Sequence, residues 1–130
     1  MTTKARQPVE SEARSVSEAM IPAASLFHSF SDPSRLVILH HLQLGEHRVV
    51  DLVQHLGLSQ STVSKHLACL RAADMVVSRP EGRASVYSIK HPEALVEILS
   101  AAEKMLALTG DAVTLCPLHG REVVARDLDA

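Results

Sequence analysis

The chain has 130 residues, a length that suits one domain with a single core. Hydrophobic residues make up 46% of it and aromatic residues only 2%, which predicts an aliphatic core and argues against stacking of single-stranded bases on aromatic side chains. The formal net charge of −2 at pH 7 is not that of a typical basic nucleic-acid binder. Local charge on one face must therefore carry any role in nucleic-acid binding.

The first residues are polar and mixed in charge, so we expect a flexible arm over residues 1–14. They contain no apolar stretch typical of a secretion signal, and the chain has no run of about 18 apolar residues that could span a bilayer. These features predict a cytoplasmic protein with no membrane partner. In that compartment we expect both cysteines, Cys69 and Cys116, to be reduced at rest.

Proline marks the first two predicted helices. Apolar residues recur at helical spacing over residues 15–30, where Pro22 either begins the helix or kinks it. Asp32 is a favourable N-cap and Pro33 suits the first helical position, so a second helix is predicted to begin there. Gly45 is a plausible end for this helix.

Two further helices are predicted around a tight turn. The first is short, covers residues 49–56 and ends at Gly57. After the turn, Ser59 is positioned to cap a helix over residues 60–73.

A β-hairpin and a long helix complete the predicted elements. Residues 75–79 and 84–89 have the composition of short strands, and residues 80–83 form the turn between them. The last helix is predicted over residues 93–108 and ends at Gly110.

The last three of the four helices before the hairpin, together with the hairpin itself, indicate a mainly α protein with a β-hairpin wing, which is a winged helix-turn-helix. The alternative is a small helical bundle with an incidental hairpin. We expect residues 15–108 to form this domain and residues 109–130 to form a C-terminal tail of unassigned structure.

The helix over residues 60–73 has two different faces. At about 100° per residue, Val63, Leu67 and Leu70 fall on one side and should face the core. The opposite side is small and polar with one cation, so it can approach base edges in the major groove. Free N–H groups at the helix start also attract phosphate. The candidate DNA-binding residues of this helix are Gln60, Ser61, Thr62, Ser64, Lys65 and His66.

The predicted hairpin adds two cations near its tip. Arg79 and Arg83 lie around Gly82, where guanidinium groups suit phosphates or a narrow minor groove. The alternative is that both arginines are ordinary solvated surface charges. Their position directly after a helix suited to base recognition favours DNA contact.

The chain resembles the ArsR/SmtB family of metal-responsive repressors over about residues 18–108. Residues 30–39, FSDPSRLVIL, resemble that family's ALxDPTRLxIL motif. Residues 51–76 are similar to its helix-turn-helix almost residue for residue, and Glu81-Gly82-Arg83 with Val86-Tyr87 is similar to its wing. The resemblance implies a homodimer joined by the first and last helices. It also implies binding to double-stranded operator DNA with two-fold symmetry, relieved by an inducer that is usually a metal ion.

Two of the family's inducer sites are not reproduced here. A Cys-x-Cys pair would occupy the positions of Arg48 and Val50. A site on the last helix would need ligands where the chain has Lys90, Pro92 and Leu106. His91 with Glu93 or Glu103 is the part of such a site that the sequence still offers.

The chain is more similar to the family's cadmium- and lead-sensing branch. That branch has a cysteine in its recognition helix, matched by Cys69, and another in its tail, matched by Cys116. A further cysteine of that branch is replaced by Ala73, so one thiolate is missing. His119 can offer a nitrogen three residues after Cys116, and His66, Asp74 or water can complete the set. Two thiolates favour a soft divalent inducer, namely Cd²⁺, Pb²⁺ or Zn²⁺.

Other interpretations remain open at this point. The two thiols can sense an oxidant, the inducer can be a non-metal compound, or the cysteines can have no sensing role. A protein of another class, a thiol-based metal-handling protein without operator specificity, is a further alternative. An enzyme is not expected, because no nucleophile–base–acid set or phosphate loop is present. Four histidines have no evident partner spacing and are interpreted as solvated or hydrogen-bonded structural residues: His40, His41, His47 and His55.

Overall fold

The computed structural model describes residue 12 and residues 15–117. The predicted arm, apart from residue 12, lies outside this part of the chain. The same is true of the tail beyond residue 117, which includes the candidate ligand His119.

The first helical region is divided at a turn. Residues 15–19 are helical, Met20 forms the turn, and helix α1 follows over Ile21–Ser29 with Pro22 in its first turn. Proline fits this position because its missing N–H would have no intrahelical partner there. Of the two alternatives for Pro22, a new helix start is the one observed.

Helix α2 (Pro33–Leu42) begins where the Asp-Pro pair predicted. The Asp32 carboxylate accepts a hydrogen bond from the backbone N–H of Ser34 at 2.7 Å. This cap satisfies one of the free donors at the helix start and fixes the path by which the chain enters α2.

The helix-turn-helix follows the predicted boundaries to within one residue. Helix α3 (Val49–Leu56) ends at Gly57, which has φ +68°, a left-handed conformation that glycine adopts without strain. Helix α4 (Gln60–Ala72) is capped by Ser59, whose Oγ accepts the N–H of Thr62 at 3.2 Å. The turn between the two helices is therefore defined by a glycine at one end and a serine cap at the other.

The sheet is larger than predicted. Strands β1 (His47–Arg48), β2 (Val76–Glu81) and β3 (Ala84–Ile89) form an antiparallel sheet in the order β1-β3-β2. The sequence did not predict β1, and it ended β2 before Pro80. Pro80 is tolerated because β2 is an edge strand, in which not every backbone N–H has to donate a hydrogen bond to a neighbouring strand. The turn is therefore only Gly82 and the residue after it.

Helix α5 (Pro92–Leu108) is followed by a segment that turns back along it. The Glu103 carboxylate accepts the backbone N–H groups of Leu115 and Cys116 at 2.6 and 2.8 Å. The amide of Gln43 donates to the carbonyl of Leu115 at 3.5 Å. The first part of the tail is therefore packed on the body, a point that the sequence left open.

The core is aliphatic, as the composition predicted. It joins α2, α3, α4, β2 and α5, and its buried members include Ile38, Leu39, Leu42, Leu52, Val63, Leu67, Leu70, Val76, Leu95 and Leu99. Within the described residues, no helix combines the length and apolar character needed to cross a membrane.

Candidate nucleic-acid interface and sensing residues

Helix α4 has the orientation that its sequence predicted. Val63, Leu67 and Leu70 are fully buried in the core. Ser61, Ser64, Lys65 and Ala68 are exposed on the other side. This exposed surface, called the groove face below, has no bulky or acidic side chain that would hold the helix away from a DNA groove.

Some of the polar side chains at the start of α4 already interact with the capping residue, Ser59. The Ser59 hydroxyl donates to Thr62 Oγ1 at 2.8 Å and lies 3.2 Å from Ser61 Oγ. Thr62 is thus held by the cap and half-buried, whereas Gln60 is exposed. Among the candidates at the helix start, Gln60 and Ser61 are therefore the more accessible.

His66 lies against the body of the protein. Its Nδ1 atom is 3.3 Å from the guanidinium of Arg35, and its Nε2 atom is 4.0 Å from the Asp32 carboxylate. Only 15% of its side chain is exposed. The structure therefore places His66 at the junction between α4 and α2, apart from the exposed groove face.

The two arginines of the wing differ in their ion pairing. The Arg79 guanidinium pairs with the Glu46 carboxylate at 2.8 Å and lies 3.5 Å from Glu81. The hydrogen bond with Arg79 lowers the pKa of the Glu46 carboxyl, which keeps this pair charged. Arg83 is exposed and makes no hydrogen bond or ion pair with any of the described residues. A phosphate must compete with Glu46 for Arg79 but not for Arg83.

Cys116 is buried beside α5. It is 2% exposed, and its Sγ lies 3.8 Å from Ser100 Oγ and 3.9 Å from the Val96 carbonyl oxygen. Burial raises the pKa of this thiol, which favours the protonated form.

Cys69 is half-buried on the flank of α4 and is a free thiol. Among residue 12 and residues 15–117, no group of three metal-ligating side chains includes either Cys69 or Cys116. The described part of one chain therefore does not assemble the predicted cysteine site, and His119 lies outside it.

Three histidines come together that the sequence did not connect. They are His41 near the end of α2, His47 in β1 and His55 near the end of α3, and their ligand atoms lie within 4.8 Å of one another. The interpretation of these histidines as solvated or hydrogen-bonded structural residues did not include this proximity, although the hydrogen bond between His47 and Gly45 agrees with it. Helical or strand periodicity could not reveal this grouping, because the three residues belong to different elements and β1 is only two residues long.

The comparisons with known proteins agree with this architecture. The sequence model described as "Bacterial regulatory protein, arsR family" matches residues 32–78, which contain α2, α3, α4 and the start of β2. A probable mercury resistance operon repressor from Streptomyces lividans is 32% identical over 93 residues, covering 72% of this chain and 74% of that protein. The chain belongs to the arsR family. The members it matches are transcription regulators, so it is a regulator and not an enzyme.

Solved structures show the same fold as this arsR-family chain. A homodimeric winged helix-turn-helix DNA-binding domain from Mycobacterium bovis has 26% identity and a TM-score of 0.59, covering 70% of this chain and 88% of that one. The cadmium sensor CmtR from Mycobacterium tuberculosis has 38% identity and a TM-score of 0.50, covering 61% and 85%. The predicted winged helix-turn-helix is thus confirmed, as is the resemblance to a family that includes a cadmium sensor.

Proposed function

We propose that this chain is a homodimeric, cytoplasmic repressor that binds double-stranded operator DNA and releases it when a soft metal ion binds. The observation that carries the proposal is the division of α4 into a fully buried apolar side and the exposed groove face. A helix of this kind can enter the major groove while its other side stays anchored in the core. Ser61, Ser64 and Lys65 then face base edges or phosphates, with Gln60 and Thr62 at the start of the helix.

The wing supports the same docking. Arg83 is exposed at its tip and is available for a phosphate or a narrow minor groove. Arg79 joins the contact when DNA displaces Glu46, and His66 acts mainly by holding α4 in place.

Homodimer formation is supported by apolar side chains that one chain leaves exposed on its first and last helices. They are Ile21 (65% exposed), Phe27 (63%), Met105 (69%) and Leu108 (88%). Burying this surface against a second copy removes apolar area from water. A two-fold dimer presents two copies of α4, which suits an operator with two related half-sites.

For the inducer we propose Cd²⁺, Pb²⁺ or Zn²⁺ held by Cys69 and Cys116, with His119 as a third ligand. Soft thiolate ligands favour these ions, and the cadmium sensor and the mercury repressor to which the chain is similar support a metal inducer. Cys116 must leave its site beside Ser100 and lose its proton to bind a metal, since a thiolate is the ligand. Metal binding would thereby couple the packing of residues 111–117 to the position of α4.

A test of operator binding begins with selection of duplexes from a random double-stranded library by the purified protein. We expect enrichment of a two-fold symmetric sequence with half-sites about one helical turn, roughly 10 base pairs, apart. Failure to enrich any sequence would contradict the repressor and favour a metal-handling protein.

The inducer is tested separately on the selected duplex. Cd²⁺, Pb²⁺ and Zn²⁺ are titrated while thiolate absorption and DNA binding are followed together in the parent protein, Cys69→Ser and Cys116→Ala. We expect release in the parent and much weaker release in both variants. Unchanged release in both variants would remove the cysteine site. Release by peroxide but not by metal would instead favour an oxidant sensor.

A further inference from the structure

The three histidines brought together by the fold surround a common point. His41 and His55 are stacked with ring centroids 4.5 Å apart, and His47 lies 5.6 Å from His55 and 6.0 Å from His41. His41 and His47 are half-buried and His55 is exposed, so the group opens to solvent on one side. An ion can therefore reach all three rings.

His47 is already oriented as metal-binding histidines commonly are. Its Nδ1 atom lies 2.8 Å from the carbonyl oxygen of Gly45. A carbonyl oxygen can only accept, so Nδ1 carries the hydrogen, and the neutral ring then has its lone pair on Nε2. A backbone carbonyl that fixes one ring nitrogen while the other is free is a typical outer contact of a histidine ligand.

We propose that His41, His47 and His55 form a binding site for one divalent transition-metal ion that prefers imidazole nitrogen, with Zn²⁺ the expected ion and water as the fourth ligand. Three neutral imidazoles plus water match the ligand set of an open zinc site. Burial, and then the nearby rings of His55, His40 and His47, lower the pKa of His41, which supports a neutral ring there.

The rings must approach each other slightly to hold an ion. Zinc–nitrogen distances of about 2.1 Å in a tetrahedron place ligand nitrogens about 3.4 Å apart. The present separations of up to 4.8 Å close by side-chain rotation, chiefly of the exposed His55, which opens its stack on His41.

The bound ion would join the helix-turn-helix to the wing. His55 lies at the end of α3, directly before the turn into α4, and His47 of β1 pairs with Tyr87 of β3 in the wing sheet. His41 belongs to α2, which contributes to the core. This site uses none of the ligands of the proposed cysteine site and does not depend on it.

The test uses an untagged Cys69→Ser/Cys116→Ala protein, so that thiolates cannot contribute. Co²⁺ is titrated and its visible d–d absorption is recorded, followed by displacement with Zn²⁺. We expect saturation at one equivalent per chain, loss of the absorption on adding Zn²⁺, and a higher Tm with Zn²⁺.

Substitutions then assign the ligands. His55→Gln and His47→Gln should each abolish the one-equivalent absorption and the Tm increase. His40→Gln is the matched control, since His40 is the neighbour of His41 on α2 but is not a member of the group. We expect His40→Gln to bind Co²⁺ as the cysteine-free protein does.

Two results would overturn the site. One is the lack of stoichiometric Co²⁺ binding in the cysteine-free protein. The other is Co²⁺ binding by His55→Gln and His47→Gln that equals the binding by the cysteine-free protein without these substitutions. Binding of the selected duplex without metal is measured for every variant. A histidine variant that no longer binds Co²⁺ but still binds the duplex shows that the metal site and the repressor function are tested independently of each other.

Discussion

The guanidinium of Arg35 lies 3.3 Å from Nδ1 of His66, and this contact joins the start of α2 to α4. Arginine can only donate, so Nδ1 of His66 accepts and its Nε2 carries the hydrogen that faces Asp32 at 4.0 Å. Arg35 is itself buried and also donates to the carbonyls of Ser29 at 3.0 Å and His28 at 2.8 Å. One side chain therefore ties the end of α1, the start of α2 and α4 together.

Replacing Arg35 should destabilise the fold. Arg35→Ala removes charged hydrogen bonds and takes away the Arg35 donor of the buried Ser29 carbonyl, whereas the His28 carbonyl keeps the N–H of Ser31. We therefore expect a loss of about 2–3 kcal/mol in the free energy of unfolding. Urea denaturation followed by circular dichroism measures it. The control is Arg83→Ala, an exposed arginine whose loss should change stability by no more than about 0.5 kcal/mol. Equal midpoints for both variants would contradict this role.

Two serines of α4 should separate stability from DNA binding. Ser59→Ala removes the helix cap and should lower the free energy of unfolding by about 1 kcal/mol. Ser64→Ala changes the exposed groove face and should leave stability nearly unchanged while weakening binding to the selected duplex. Urea denaturation and fluorescence anisotropy give the two readouts. The opposite pattern, with Ser64 needed for stability and not for DNA, would rule out the assignment of the groove face.

Glu46 should weaken DNA binding by occupying Arg79. Glu46→Gln removes the carboxylate 2.8 Å from that guanidinium, so we expect tighter binding to the selected duplex. The slope of log affinity against log salt should also steepen by about 0.9 if Arg79 gains one phosphate. This gain in DNA affinity should vanish without Arg79, so that Glu46→Gln/Arg79→Ala binds the duplex no more tightly than Arg79→Ala does. A gain that persists without Arg79 would show that Glu46 acts only through its own charge.

Cys116 should contribute to stability at neutral pH and lose this contribution in alkali. Burial raises its pKa in the folded protein, so the unfolded chain releases the thiol proton first as the pH rises. Stability is thus retained below the ordinary thiol pKa and falls as the pH rises above it. We expect the Tm of the parent to fall more steeply over this alkaline range than that of Cys116→Ala, as calorimetry can measure. Identical pH profiles would contradict the buried thiol.

The same burial predicts a difference in thiol reactivity. Iodoacetamide at mildly alkaline pH should modify the half-buried Cys69 before Cys116, with mass spectrometry of the peptides as the readout. Faster modification of Cys116 would show that the segment after α5 does not stay packed.

The helix-turn-helix was predictable from the sequence because its signals are local. Ser59 caps α4, Gly57 ends α3, and the spacing of Val63, Leu67 and Leu70 gives the buried side directly. The two-residue strand β1 has no such signal, since its existence depends on pairing with β3. The extension of β2 past Pro80 likewise follows from the position of β2 at the sheet edge.

The candidate sites were less predictable from the sequence than the helix-turn-helix, because they depend more on tertiary structure. Exposure of Ser64 and Lys65 followed from helical spacing, but the pairing of Arg79 with Glu46 joins residues distant in the chain. The grouping of His41 with His55 likewise depends on how α2 packs against α3. Helical periodicity describes one element at a time, so it could not reveal contacts that exist only between elements.

The most direct test of the account is the affinity of Ser64→Leu/Lys65→Ala for the selected duplex, measured by fluorescence anisotropy at several salt concentrations. A bulky side chain on the groove face and the loss of its cation should weaken binding by at least about tenfold, equivalent to about 1.4 kcal/mol, with a shallower salt dependence. Lys104→Ala, an exposed lysine of α5, is the control and should bind like the parent. Unchanged affinity in the double variant would contradict the docking of α4 into DNA.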